Sequence, residues 1–178
     1  MKRNVLVFGL ILGVLSCINV VMMVDMVYNR PNAKPNDVIG YAAMVIVFSL
    51  TFFGIRNYRN KQLNGIISFG KAFKTGALIA LLGSTVYVIF WMFYHYLVVP
   101  DFIDKYISFA LNNCQRSGFN AEQMAEKTKE LENMREMYKS PVFVALITYS
   151  EVLPIGLIVA LISALILKRK KPLNDVVA

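Results

Sequence analysis

From Ala77 to Val99 the chain carries no Lys, Arg, Asp or Glu, and it reaches this run directly from Lys71 and Lys74. A helix rises about 1.5 Å per residue and needs about 20 apolar residues to cross roughly 30 Å of hydrocarbon, so a run of this length predicts a membrane-spanning helix. Gly76, Ala80 and Ser84 recur at every fourth position. That spacing brings small residues onto one face, where a second helix backbone can approach closely. The far end is rich in rings, Tyr87, Phe90, Trp91, Phe93, Tyr94 and Tyr96, with His95 among them and Pro100 beyond. Amphipathic rings settle at the membrane–water boundary, so the span has a basic end and an aromatic end.

Composition decides between this and a soluble reading. Of 178 residues, 57% are hydrophobic and 17% charged, and the mean hydropathy is +0.53. A soluble domain of this size is less apolar, and one membrane domain over 1–178 is the economical organisation. The net charge of +8 sits at the ends of apolar runs, where it sets orientation and attracts anionic lipid; no nucleic-acid partner is expected. Cys17 and Cys114 lie far apart and form neither a redox pair nor a metal-ligand spacing.

Three more spans follow from the same logic, giving an all-α membrane protein with spans at about 5–28, 38–55, 77–99 and 142–167. The first begins after Lys2 and Arg3. Val14-Leu15-Ser16 before Cys17 loosely resembles a lipoprotein cleavage site, but the apolar run continues through Ile18 to Val24, so a retained helix is the expectation. Gly9 and Gly13 form one GxxxG. A polar turn over 29–37, with Pro31 and Pro35, joins the first span to the second. No acidic residue falls between Arg56 and Gly76, a segment that holds Arg59, Lys61, Lys71 and Lys74. The positive-inside rule places this loop, the amino terminus and the carboxyl end after Lys168, Arg169, Lys170 and Lys171 in the cytoplasm. The residues just before the third span, Ile66 to Phe73, either lie along the inner surface or extend that helix.

The outer loop over 100–140 is longer than a connection needs and is expected to hold structure. Asn120 with Gln123 predicts a helix cap, and Met124, Leu131, Met134 and Tyr138 make an apolar stripe on a helix over about 121–139. That stripe covers either the chain's own spans or a partner. Pro141 opens the fourth span. Its sixteen Leu, Ile, Val and Phe residues favour insertion by roughly 5 to 10 kcal/mol, against about 3 for Glu151. Gly156, Ala160 and Ala164 again repeat every fourth residue, a face suited to Gly76, Ala80 and Ser84.

Glu151, Asp25 and His95 are the ionisable groups inside spans, and such groups are the best pointers to function in this class. Glu151 falls near mid-depth, where a carboxyl either stays protonated and hydrogen-bonded or handles protons or a cation. Asp25 and His95 fall near the outer surface. No metal or cofactor site is expected, and no phosphate-binding loop, HExxH, G-x-S-x-G or Cys-x-x-Cys is present in the sequence. The first and second helix pairs show no internal repeat of the kind inverted-repeat transporters carry.

Gly54-Ile55-Arg56-x-Tyr58-Arg59, then Ile67-Ser68-Phe69-Gly70-Lys71-Ala72-Phe73-x-x-Gly76, Pro100-Asp101-Phe102 and Ser140-Pro141 resemble a family of small membrane proteins known as domain of unknown function 4199. The resemblance covers about Val5 to Arg169. It implies a four-helix inner-membrane protein of Gram-negative bacteria with a long loop before the last helix, and it brings no activity or site residues. The expectation is a non-enzymatic structural or accessory subunit of the bacterial inner membrane, in contact with lipid and with a membrane-protein partner or a second copy. The alternative is a small transporter or channel component using Glu151. A lipid enzyme using Asp25 and His95 is a third.

Overall fold

The computed structural model describes residues 1–30 and 37–169; the expected turn at Pro31 and Pro35, and Lys170 and Lys171, lie outside them. The described residues form helices α1 (Lys2–Asn29), α2 (Asp37–Phe48), α3 (Leu50–Gln62), α4 (Phe69–Leu97), α5 (Phe102–Arg116), α6 (Ala121–Tyr138) and α7 (Pro141–Leu167). Only Ser49 separates α2 from α3. Its hydroxyl donates back to the Ile46 carbonyl at 2.5 Å, a competition with the backbone ladder that bends helices. Four helices are long and apolar enough to cross a membrane: α1 at 28 residues, the joined rod Gly40–Gln62 at 23, α4 at 29 and α7 at 27.

α4 is the axis of the bundle. α1 and α7 pack on it far more extensively than on any other helix, α3 touches all three, and α2 leans on α7 and α1. Small residues explain the closeness. A Cβ built on Gly76 would stand 2.9 Å from the Ala160 Cβ, and one on Gly156 would stand 2.9 Å from the Ala80 Cβ. The small faces of α4 and α7 therefore meet, in antiparallel register. On the other flank the carbonyl of Gly9 lies 3.3 Å from a Cβ built on Gly83, and the carbonyl of Gly83 lies 3.3 Å from one built on Gly13.

The exposed surface of this bundle is apolar, unlike that of a soluble one, and its apolar interior includes small polar side chains. Thr51, Thr75, Ser84, Thr148 and Ser163 are buried, while Met22, Ile46, Leu97, Val142 and Ile166 are each more than 65% exposed. Thr75 and Thr148 satisfy their hydroxyls on the carbonyls of Lys71 and Val144, each at 2.8 Å.

Three boundaries differ from the sequence expectation. The second span does not stop at Ile55: α3 runs to Gln62 and ends where Asn64 and Gly65 take positive φ of 49° and 83°. Hydropathy marks where the apolar run ends, whereas backbone hydrogen bonds stop only at a residue that leaves helical φ/ψ. α4 begins at Phe69, eight residues before the expected start of the span, so from Phe69 on the preceding segment extends that helix, one of the two arrangements the sequence allows. The loop over 100–140 holds two helices. α5 buries Phe102, Ile107, Phe109 and Asn113, and α6 begins with the expected reciprocal cap, Gln123 N–H to Asn120 Oδ1 at 2.9 Å and Asn120 N–H to Gln123 Oε1 at 3.0 Å. Of the stripe on α6, Leu131 is buried and Met124, Met134 and Tyr138 are half-buried.

The two ends of the bundle are closed differently. At the basic end Asn4 Nδ2 donates to the Gly54 carbonyl at 2.8 Å and Asn57 Nδ2 donates to Asn4 Oδ1 at 2.7 Å. Arg59 reaches the Leu167 carbonyl at 3.2 Å, and the Arg169 N–H pairs with the Ile67 carbonyl at 2.9 Å. At the other end α5 and α6 lie over the aromatic termini of α1 and α4, joined to each other by Arg135 and Asp104 at 3.0 Å.

Candidate functional site

The three ionisable groups singled out in the sequence occupy three different surroundings. Asp25 is exposed on the last turn of α1, accepts from Asn29 Nδ2 at 2.7 Å and pairs with Arg30 at 3.8 Å. Both partners are local, and an exposed pair of this kind contributes about 0–1 kcal/mol.

His95 is buried inside the protein. It is 4% exposed, stacked on Trp91 with ring centroids 5.6 Å apart, and edged by Phe102 at 6.3 Å and Tyr138 at 5.6 Å. Its Nδ1 is buried without a hydrogen-bond partner. Phe102 comes from α5 and Tyr138 from the end of α6, so the imidazole is covered by these two helices, a tertiary effect with no local signature. Burial, with the Glu151 charge second, pushes the Tyr138 phenol above its ordinary range. Among the described residues Asp25 and His95 share no hydrogen bond or ion pair.

Glu151 points outward. It is exposed on α7 and, among the described residues, makes no hydrogen bond or ion pair. It stands ten residues into a 27-residue helix, about 15 Å along its axis. The next residue, Val152, lines a small cleft with Ser16 and Asn19 of α1, Met44, Val47 and Phe48 of α2, and Tyr87 of α4, with room for roughly one water. Tyr87 and Tyr138 both lie within electrostatic reach of the Glu151 carboxyl. Ser16 gives its hydroxyl to the Leu12 carbonyl at 3.0 Å. Glu151 is thus an exposed carboxyl on α7 that still lies within electrostatic reach of tyrosines on α4 and α6.

Tight packing accounts for the other selected residues. Gly76, Ala80, Ser84, Gly156, Ala160 and Ala164 are all buried, and the Ser84 hydroxyl has no partner. Tyr149 bridges α7 to α4 through Thr85 Oγ1 at 2.8 Å. Among the described residues no three His, Cys, Asp or Glu side chains gather as metal ligands, and Cys17 and Cys114 are free thiols.

Two features fall outside the sequence-selected residues. Tyr28 donates to Asp101 at 2.5 Å with Lys105 lying 5.5 Å from its ring centroid, a link from α1 to α5. The Asn4–Asn57–Gly54 network holds α1 to α3. Nothing local in the sequence marks either one, since Asn4 follows Lys2 and Arg3 in an ordinary polar start.

A family described as "Protein of unknown function (DUF4199)" matches the chain over residues 7–169. No curated protein and no solved structure matches it.

Proposed function

The chain belongs to that family, and we propose that within it this protein is a non-enzymatic accessory subunit of a bacterial inner membrane, crossing it four times with both termini in the cytoplasm. Its outward apolar surface supports insertion. The basic end, where α1 and α4 begin and α3 and α7 finish, supports the orientation through the positive-inside rule.

The observation that carries the subunit reading is the outward, unpartnered Glu151 at mid-depth. A carboxyl at the centre of a spanning helix costs about 2.5–3.5 kcal/mol against lipid. Such groups face a bundle interior or a water-filled cavity and find a partner. Within this chain Glu151 does neither, so a second membrane protein, or a second copy, supplies the cover. The test is affinity purification from gently solubilised membranes with cross-linkable residues placed at Ser150, Pro154 and Ile158, against Met22 on α1 as the control face. Adducts confined to the α7 positions, lost in Glu151→Leu and retained in Glu151→Gln, are the expected result; adducts spread equally over both faces contradict it.

One observation favours the second reading, a small transporter or channel component. Ser16, Asn19 and Tyr87 place polar groups in a mid-bundle cleft beside Val152, one residue from Glu151. On that reading Glu151→Gln abolishes pH-dependent proton or cation flux in liposomes while assembly stays intact; on the subunit reading both are unchanged.

A further inference from the structure

We infer that the corner where α3 ends against α7 is a binding site for the phosphate of an anionic phospholipid, held by Arg56, Arg59 and Arg169. The inference rests on the membrane-spanning reading of the four helices and names a ligand that reading does not.

Charge is the first observation. Among the described residues the basic end carries nine Lys and Arg side chains and no Asp or Glu, and none of the nine belongs to an ion pair. The opposite end mixes both signs and forms several ion pairs. Acidic residues of this chain therefore neutralise part of the charge at the opposite end and none of it at the basic end.

Geometry is the second. Arg59 is anchored on two sides, by Nη1 to the Leu167 carbonyl at 3.2 Å and by Nε to Asn60 Oδ1 at 2.9 Å. Arg56 and Arg169 lie close enough for their charges to act on it. The corner is fixed in place, because the Arg169 N–H is held by the Ile67 carbonyl at 2.9 Å. Arg56 and Arg169 are exposed, and their side chains make no hydrogen bond among the described residues. Arg59 is fixed at this corner, and the exposed Arg56 and Arg169 repel it with no carboxylate between them. A phosphate relieves that repulsion and matches the planar fork bidentately.

Depth selects the source of the phosphate. The apolar run of α7 stops at Leu167, so Arg169 stands at headgroup level. Just before it Leu165 and Ile166 are 47% and 66% exposed, an apolar wall for acyl chains beneath the guanidinium groups. Free phosphate gains nothing from that wall.

The experiment uses the full chain reconstituted in phosphatidylethanolamine vesicles doped with phosphatidylglycerol, re-extracted in mild detergent, with retained lipid counted by native mass spectrometry. The wild type is expected to keep phosphatidylglycerol. Arg56→Gln with Arg169→Gln leaves the Arg59–Leu167 bond and the backbone pairing intact, and it lowers retention about fivefold for each arginine, from roughly 1 kcal/mol per basic residue near an anionic surface. Arg116→Gln with Lys129→Gln removes the same charge at the opposite end and leaves retention unchanged. Equal retention by the Arg56/Arg169 variant and the wild type overturns the site, as does complete displacement of the lipid by inorganic phosphate. Circular dichroism verifies folding, and if the double variant does not fold the two single variants carry the comparison. Alkaline carbonate extraction separates the premises: release of the wild type from membranes refutes the spanning reading, whereas a retained protein that keeps no anionic lipid refutes this site alone.

Discussion

Gly156→Ala is the sharpest probe of the fold, because it adds one carbon at the contact between α7 and α4. The new Cβ would lie 2.5 Å from Phe48 Cε1, 2.8 Å from Phe48 Cδ1 and 2.9 Å from the Ala80 Cβ. Ordinary van der Waals contact begins at 3.4 Å. The Phe48 ring is 2% exposed and has little room to turn, and the Ala80 Cβ is fixed to the backbone of α4. Both helices must therefore separate by about half an ångström, an overpacking that costs roughly 1–3 kcal/mol. For a chain of this size that is a fall of about 2–4 °C per kcal/mol in the midpoint of thermal unfolding. The assay is thermal unfolding of the detergent-solubilised protein followed by size-exclusion chromatography. Gly40→Ala and Gly70→Ala serve as controls, since an added Cβ there meets nothing within 4 Å, and in a helix alanine is favoured over glycine by roughly 0.5–1 kcal/mol. Ala80→Gly in the Gly156→Ala background removes the backbone-anchored part of the clash and should recover part of the loss. A Gly156→Ala protein as stable as the Gly40→Ala control refutes the close approach of α4 and α7.

His95→Ala empties a cage bounded by Trp91, Phe102 and Tyr138 and should cost about 3–5 kcal/mol, whereas His95→Phe keeps the stack, removes the unpartnered Nδ1 and should be no less stable in the same thermal assay. Asn4→Ala leaves the Gly54 carbonyl and the Asn57 amide without their partner; a loss of about 1–3 kcal/mol, read in the same thermal assay, is expected. The Tyr138 phenol binds its proton more tightly folded than unfolded. Its contribution is complete below the ordinary tyrosine value near 10.0 and declines as pH rises through the higher folded value, so Tyr138→Phe should flatten the alkaline limb of a stability–pH curve.

What the residues revealed and what they concealed divide along physical lines. The facing of Gly76 with Ala160 and of Ala80 with Gly156 is readable, because a fourth-residue repeat of small side chains has one dominant use between span-length helices. α5 is also encoded, in Phe102, Tyr106, Phe109 and Asn113 at helical spacing, but its polar background hides it from a reading based on hydropathy. The direction of Glu151 is not encoded locally. Hydropathy fixes depth along a helix and leaves azimuth to packing, and here Val152 and Gly156 take the inward positions. The enclosure of His95 depends on residues seven and forty-three positions away, beyond any local pattern.

The place of α4 at the centre of the bundle has a consequence for biogenesis. The helix on which the others pack is third of four to leave the ribosome, so α1 waits with Gly9 and Gly13 uncovered until Leu82, Gly83 and Val86 have been made. A nascent chain halted after α3 carries a hairpin held at the basic end by Asn4 and Asn57, without the helix that fills its groove. During that interval the hairpin is open to membrane chaperones and proteases, and the timing of the third insertion sets how long it stays so.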